Sequence, residues 1–406
     1  MSDDQHIPSG YKPSPLGIIP EDWEVKRLGE VCDIDKESLS NKTDPNYEFD
    51  YISLSDVDSD CFETTTSKQT FRTAPSRARR IVKQGDVIIS TVRPNLQAFT
   101  LIKDKVKDLI VSTGFAVLTP KQIISEYLYQ YVFSFPVSKQ FYQLVVGSNY
   151  PAVNSSDVSH LKIAFPPLSE QKSIVDVLEV WDTAIAKQTA LIEQLALRKR
   201  GLMQQLLTGK KQLKGFCGEW KEVRLGDVFD ERNETNCDNL PLLSITGDKG
   251  VIYQSESDKR DISNEDKSKY KRICPNDIGY NTMRMWQGRS ALSELEGIVS
   301  PAYTIVTPKK SIDVRFMAML IQQPRIVYSF WTHSQGLVSD TLNCKYPDFC
   351  QVKVVIPSKE EQTAIADFFV VIDKEIDTQK QKLAAMQEQK KGLMQVLLTG
   401  KKRINK

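Results

Sequence analysis

The stretch PPLSEQKSIVDVLEVWDTAIAKQTALIEQLALRKRGLMQQLLTGKK, from Pro166 to Lys211, occurs twice. It returns as PSKEEQTAIADFFVVIDKEIDTQKQKLAAMQEQKKGLMQVLLTGKK from Pro357 to Lys402. The correspondence is ungapped, and one offset of 191 residues carries Gln171 onto Gln362 and Gly209 onto Gly400. The repeat extends upstream. Trp23, with Arg27-Leu28-Gly29-Glu30-Val31, returns 197 residues later as Trp220, with Arg224-Leu225-Gly226-Asp227-Val228. Between them, GDVIISTVR (Gly85 to Arg93) is echoed by NDIGYNTMR (Asn276 to Arg284), and VSTGFAVLTP by VSPAYTIVTP. A fixed internal period over most of the length marks a tandem duplication.

Each copy has two zones, about 140 residues of short β-like runs and turn residues followed by about 40 residues with helical periodicity. In the second zone, alternating steps of four and three from Ile174 reach Leu178, Trp181, Ile185, Gln188, Ile192, Leu195, Lys199, Leu202 and Leu206. The same walk in the other copy gives Ile365, Phe369, Ile372, Ile376, Gln379, Leu383, Met386, Lys390, Leu393 and Leu397. Eight of ten positions are apolar in each, and the polar exceptions fall at the same places. Such a seam predicts a coiled coil. The Thr-Gly pairs at 208–209 and 399–400 supply a C-terminal stop, and Ser358 with Glu361 suggests a capping box. At 1.5 Å per residue, each helix is roughly 60 Å long.

A one-sided seam needs a partner, and the chain carries two of nearly equal length. They are expected to pair with each other, antiparallel, which would set the two globular domains at opposite ends of a rod. Gln188 and Lys199 are then either tolerated at a frayed seam or, as their identical placement in both copies suggests, fix the register or meet a partner. In the first zones, Asp86–Ser90, Phe115–Leu118 and Leu161–Phe165 read as strands. The expected fold is α+β: two tandem α+β domains and two long helices in an antiparallel coiled coil with pseudo-twofold symmetry. The expected division is a polar N-terminal segment (1–16), domain one (17–165), helix one (166–211), domain two (212–355) and helix two (356–406).

Composition bounds the function. With 406 residues, 40% hydrophobic and 26% charged, the chain supports two or three soluble globular domains. No apolar run is long enough to span a bilayer and the first residues lack a secretory pattern, so a cytoplasmic protein without membrane contact is expected. Seven scattered cysteines form no CxxC pair and are expected to be reduced and buried. Three histidines without matching spacing leave no expectation of a metal. A net charge of +2 is small for a chain gripping the DNA backbone alone, so basic side chains must concentrate on one face or be supplemented by a partner.

Enzymatic signatures are missing from the sequence. Asp44-Pro45-Asn46-Tyr47 approximates the Asp-Pro-Pro-Tyr loop of amino-methyltransferases but lacks the second proline, and reads as a turn. There is no phosphate-binding GxxxxGK[ST] loop and no nuclease-like carboxylate pair. What remains are side chains suited to nucleic acid. In copy one, Arg72, Arg77, Arg79 and Arg80 precede a strand and Arg93-Pro94-Asn95 follows it, with Asn149, Tyr150 and Asn154 further on. In copy two, Arg284, Trp286, Gln287 and Arg289 follow the equivalent strand, joined by Gln335, Asn343 and Lys345. Arg, Asn and Gln make bidentate contacts to base edges, and Arg and Lys hold phosphates. Arg93 and Arg284 stand out because they occupy matching strand ends in otherwise divergent segments. Near-identical helices beside divergent domains fit one docking surface shared by two different readers.

Taken together, Ile19-Pro20-Glu21-Asp22-Trp23, Leu28-Gly29-Glu30, Gly85-Asp86-Val87-Ile88-Ile89-Ser90 with Arg93, Pro166-Pro167-Leu168-Ser169-Glu170-Gln171 and the GLMQ-x-LLTGKK endings resemble the specificity (S) subunit of type I restriction-modification enzymes, over essentially the whole chain. The resemblance implies two target recognition domains, each reading half of a bipartite site in double-stranded DNA. It implies that the helices dock two methyltransferase subunits, which motor-nuclease subunits join. The chain itself would be non-catalytic and cofactor-free, with S-adenosylmethionine, ATP and Mg on its partners. Copy two departs at Asn276-Asp277-Ile278-Gly279-Tyr280 and at Ser358-Lys359. The alternative is a coiled-coil scaffold whose domains bind proteins; capture of bipartite DNA by the chain together with methyltransferase separates the two.

Overall fold

The computed structural model describes residues 7–57, 65–145, 151–247, 249–257, 264, 266–336 and 342–404. The chain divides into two compact units, one made of residues 1–189 and 382–406, the other of 190–381. Each long helix, Leu168–Leu206 and Lys359–Leu397, runs for 39 residues and contributes a part to both units.

The first unit is built on two four-stranded sheets. One has the order Ser67–Thr70, Glu48–Ile52, Leu109–Ser112, Ala78–Val82; the other has Cys32–Ile34, Phe115–Pro120, Val87–Ser90, Phe99–Leu101. Val87, Ile88 and Ile89 are wholly buried, so this strand shows a continuous apolar run instead of alternation. Lys162–Phe165 pairs antiparallel with Glu24–Arg27 immediately before the long helix begins. The second unit repeats the plan in reduced form: Phe229–Arg232, Tyr303–Pro308, Ile278–Asn281 and Ser290–Leu292 make one four-stranded sheet, and Lys221–Arg224 pairs with Lys353–Ile356. Gly279 stands where copy one has Ile88, and three isoleucine side chains (Ile245, Ile273, Ile305) fill the space beside it.

Within each unit the helix segments run antiparallel. In the first, Ile174 and Leu178 share one core with Leu397 and Leu398, and Lys390 reaches Asp182 at 2.6 Å. In the second, Leu206 and Leu207 share one core with Ile365, Ala366 and Phe369, and Lys199 pairs with Asp373. The offset of 191 carries Lys199 onto Lys390 and Asp182 onto Asp373, so the same contact is made twice with the helices' roles exchanged. The lysines that interrupt both seams are therefore ion-pair partners that fix the register. Gln188, the other exception, is buried at 7% exposure. Burial along the seam is uneven: Ile174, Leu178, Leu206, Ile365, Phe369, Ile376 and Leu397 are buried, while Trp181, Ile185, Leu195, Ile372 and Leu383 are only half-covered.

The repeated glutamines explain themselves at the start of each helix. Gln171 Nε2 donates to the Pro166 carbonyl at 2.9 Å and its Oε1 accepts from Ile124 N at 3.0 Å. Gln362 does the same with Pro357 and Asp313 N. Both are essentially inaccessible and hold the domain to its helix. Truncating Gln171 to alanine strands the Ile124 N–H, so a loss of about 1–3 kcal/mol is expected, read as a lower midpoint in denaturant unfolding.

Two expectations need correction. The capping box at Ser358 is half-formed: its Oγ accepts from Glu361 N at 3.4 Å, but the Glu361 carboxylate is engaged by Gln212, so the return arm is missing. The six described cysteines are free, yet among them only Cys32 and Cys344 are buried; Cys217 lies exposed in the stretch joining helix one to domain two, and Cys61 lies outside the described residues. The helix ends fit the reading of Thr-Gly as a stop. Gly209 and Gly400 both have φ near +70°, and a side chain there would run into Trp220 in one case and Pro20 and Trp23 in the other.

Candidate nucleic-acid interface

In the first unit the strand Val87–Ser90 is pinned where it ends. Thr91 donates from N and from Oγ1 to the Gly114 carbonyl, both at 2.8 Å, and its own carbonyl accepts from Val153 N. Arg93 N donates to the Pro151 carbonyl at 2.7 Å. Arg93 takes φ 50°, ψ 55°, a left-handed conformation unusual for a residue with a side chain, and the short turn Pro94–Leu96 begins at once. Its side chain is exposed. A rigid strand thus ends in a fixed turn that carries an arginine and Asn95 to the surface.

The second unit builds the same feature with other residues. After Ile278–Asn281, Arg284 N donates to the Asn281 carbonyl, the turn Met285–Gln287 is anchored by fully buried Met285, and Gly288 at φ 74° closes it. Arg284, Gln287 and Arg289 line one concavity of about 570 Å³ with Thr246, Lys249, Asn281 and Tyr303. The Arg289 guanidinium lies so close to Gly247 that a Cβ there would stand 2.3 Å from Nη1. Trp286 is tethered by its indole N–H to the Met283 carbonyl.

The structure sorts the remaining expected readers. Arg72 and Arg77 are exposed. Arg79 covers the Phe71 ring at 4.7 Å and donates to the Ala78 carbonyl. Arg80 is turned inward, paired with Asp35 and hydrogen-bonded to Ser155, which removes it from the outer face. Asn154 is a helix cap: its Oδ1 accepts from Asp157 N while Asp157 accepts from Asn154 N, both at 2.9 Å. Gln335 and Asn343 bridge each other through their backbones, Gln335 Nε2 also holds Asp348, and Lys345 starts the helix Tyr346–Gln351 with its side chain outside. Asn149 and Tyr150 lie outside the described residues. The face in copy one is therefore smaller than its arginine count suggested. Thr246, Lys249, Asn281 and Tyr303 went unnoticed in the sequence because they come from three separate segments that only the sheet brings together.

Asp44–Tyr47 is a turn, with Asp44 Oδ1 accepting from Asn46 N at 2.8 Å and the Tyr47 hydroxyl donating to Asp108. Among the described residues no group of three or more His, Cys, Asp or Glu could hold a metal ion, and no helix is long and apolar enough to cross a membrane.

Comparison with known proteins agrees with this architecture. The family model for the type I restriction modification DNA specificity domain matches twice, over residues 20–197 and 218–388. The putative type I restriction enzyme MjaX specificity subunit of Methanocaldococcus jannaschii is 25% identical over 430 residues, 97% of each chain. The MjaVIII specificity subunit of the same organism is 25% identical over 421 residues, 95% of this chain and 94% of the relative. Among solved structures, one from work on complex assembly and conformational transition of the type I R-M system superposes with a TM-score of 0.64 at 22% identity, covering 94% of this chain and 99% of the other. The HsdS subunit from Thermoanaerobacter tengcongensis gives 0.50 at 22%, covering 94% and 98%.

Proposed function

The chain belongs to the family of type I restriction modification DNA specificity proteins, and from that premise we propose that its first unit reads one half of a bipartite double-stranded DNA site through Arg93 and Asn95, and its second unit the other half through Arg284, Gln287 and Arg289. The observation that carries this reading is the matched strand end: Thr91 donates twice to the Gly114 carbonyl as Thr282 does to the Ala302 carbonyl, and the turn that follows offers different polar side chains in the two units. The half-sites should accordingly differ. The long helices dock two methyltransferase subunits, and motor-nuclease subunits through them. Val180 and Val371, equivalent in the two copies, are 68% and 67% exposed, so the duplication places an apolar side chain at the same outward position on each helix. S-adenosylmethionine, ATP and Mg belong to those partners, the chain performs no bond chemistry of its own, and the assembly works in the cytoplasm.

The test is the methylome of strains carrying Arg93→Ala or Arg284→Ala. Each variant should assemble normally and lose discrimination at one half-site only, by about 1–3 kcal/mol or roughly 5- to 150-fold. Methylation at unchanged rate and sequence in both would place these arginines in the framework.

A further inference from the structure

The helix Phe135–Val145 lies against the reading turn of the first unit, tied to it by Gln97 Nε2 donating to Ser138 Oγ at 3.0 Å. Its inner face is fixed, with Val137 and Phe141 buried and Gln140 bonded to the Pro136 and Lys162 carbonyls. Its outer face is unusual. Phe135 and Tyr142, seven residues apart and so on the same side, are 66% and 70% exposed, with Lys139 between them. These rings and the turn form the two walls of a mostly carbon-lined groove of about 430 Å³, with Pro94 and Asn95 opposite.

This groove is continuous with the proposed reading face, since Asn95 belongs to its wall and Arg93 immediately precedes it. The second unit offers an independent parallel. Buried Phe141 corresponds to buried Phe330, and the next residue is again an exposed aromatic, Trp331, stacked with Tyr328 at 5.5 Å. Two otherwise divergent domains thus keep a large ring beside the reading turn. An amide next to apolar rings matches the major-groove edge of an adenine–thymine pair, where adenine offers N7 and the N6 amino group and thymine its methyl. A guanine–cytosine pair presents no methyl to such a wall.

Building on the DNA-reading assignment above, we propose that the groove between Pro94–Leu96 and the outer face of Phe135–Val145 reads an adenine–thymine pair, with the thymine methyl against Phe135 and Tyr142 and the Asn95 amide on the adenine. The whole chain, assembled with its methyltransferase subunits, is titrated with a duplex bearing its mapped site and with duplexes in which one thymine at a time in the first half-site is replaced by uracil. One replacement should weaken wild-type binding about fourfold, the worth of burying a single methyl. Phe135→Ala and Tyr142→Ala should bind more weakly and no longer distinguish thymine from uracil there, while Tyr142→Phe, which keeps the ring, should keep the preference for thymine. Both rings are exposed, and normal assembly with methyltransferase confirms that the variants fold. Three outcomes overturn the proposal: no uracil position affects the wild type, the alanine variants keep the full methyl preference, or they lose methyltransferase binding instead, which would make the groove a protein dock. A wild-type assembly that binds no bipartite duplex would instead remove the DNA-reading assignment itself.

Discussion

Phe369→Asp is expected to abolish the folded second unit. Phe369 is 1% exposed and shares its core with Leu206, Leu207 and Ile365, where the two long helices meet within that unit. Removing the ring costs about 3–5 kcal/mol, and a carboxylate without a partner in that core adds several more. The sum rivals the entire stability of an ordinary domain, about 5–15 kcal/mol. Two residues on, Val371 is 67% exposed, and Val371→Asp should leave the fold intact while weakening capture of methyltransferase. Leu195 and Leu383 are half-covered, so aspartate there should fall between these limits. Limited proteolysis with co-purification of the methyltransferase subunit separates the three classes. A Phe369→Asp chain that resists protease and assembles normally would mean that the seam is not buried there.

The parts of this fold that were legible in the sequence are those set by local period. The seam and the helix stops follow from spacing alone, and the duplication doubled the signal. Lys199 and Lys390 were visible as interruptions but not as ion-pair members, because their partners Asp373 and Asp182 lie one position beyond the walk and 174 and 208 residues away. The reading face was harder. Arg80 and Asn154 have the right chemistry in the right stretch, and only the folded chain shows that Asp35 and Asp157 already use them. Tyr142 and Trp331 escaped notice for a different reason: the helices that carry them are related by an offset of 189, not 191, so the rings do not line up when the copies are laid over each other by their long helices. The class of chemistry could be read from residue types, but the actual face depends on which side chains the packing leaves free to point outward.

Exchanging Arg403 and Gln212 between the copies should shift stability in opposite directions, and with opposite pH dependence. In the first unit Glu170 is buried and accepts from the Trp23 indole at 2.9 Å and from Arg403 at 2.7 Å, while Arg403 also grips Asp22 at 2.8 Å. In the second unit Glu361 is 2% exposed and receives Gln212 at 3.3 Å, with the Trp220 indole less well placed beside it; among the described residues Glu361 Oε1 and Trp220 Nε1 have no well-formed partner. Arg403→Gln should therefore cost the first unit about 1–2 kcal/mol, the lower end reflecting the solvent at the Asp22 arm. Gln212→Arg should stabilise the second by about 1 kcal/mol at pH 7. Titration carries the sign. The Arg403 guanidinium holds the Asp22 carboxyl below its ordinary value, so that contribution is complete above about pH 4 and is lost as acid protonates it. Burial pushes the Glu361 carboxyl up, with the Gln212 and Trp220 side chains opposing, so the second unit gains stability as the pH falls through that raised value, the gain being complete below the ordinary glutamate value of about 4.3. Hydrogen exchange of peptides from Leu28–Val31 and Leu225–Val228 reads each unit separately, pH 5 against pH 3 for the first and pH 7 against pH 5 for the second. In Gln212→Arg the gain of the second unit on acidification should shrink or reverse. If it persists unchanged, the introduced guanidinium does not reach Glu361, and the two junctions differ in more than one side chain.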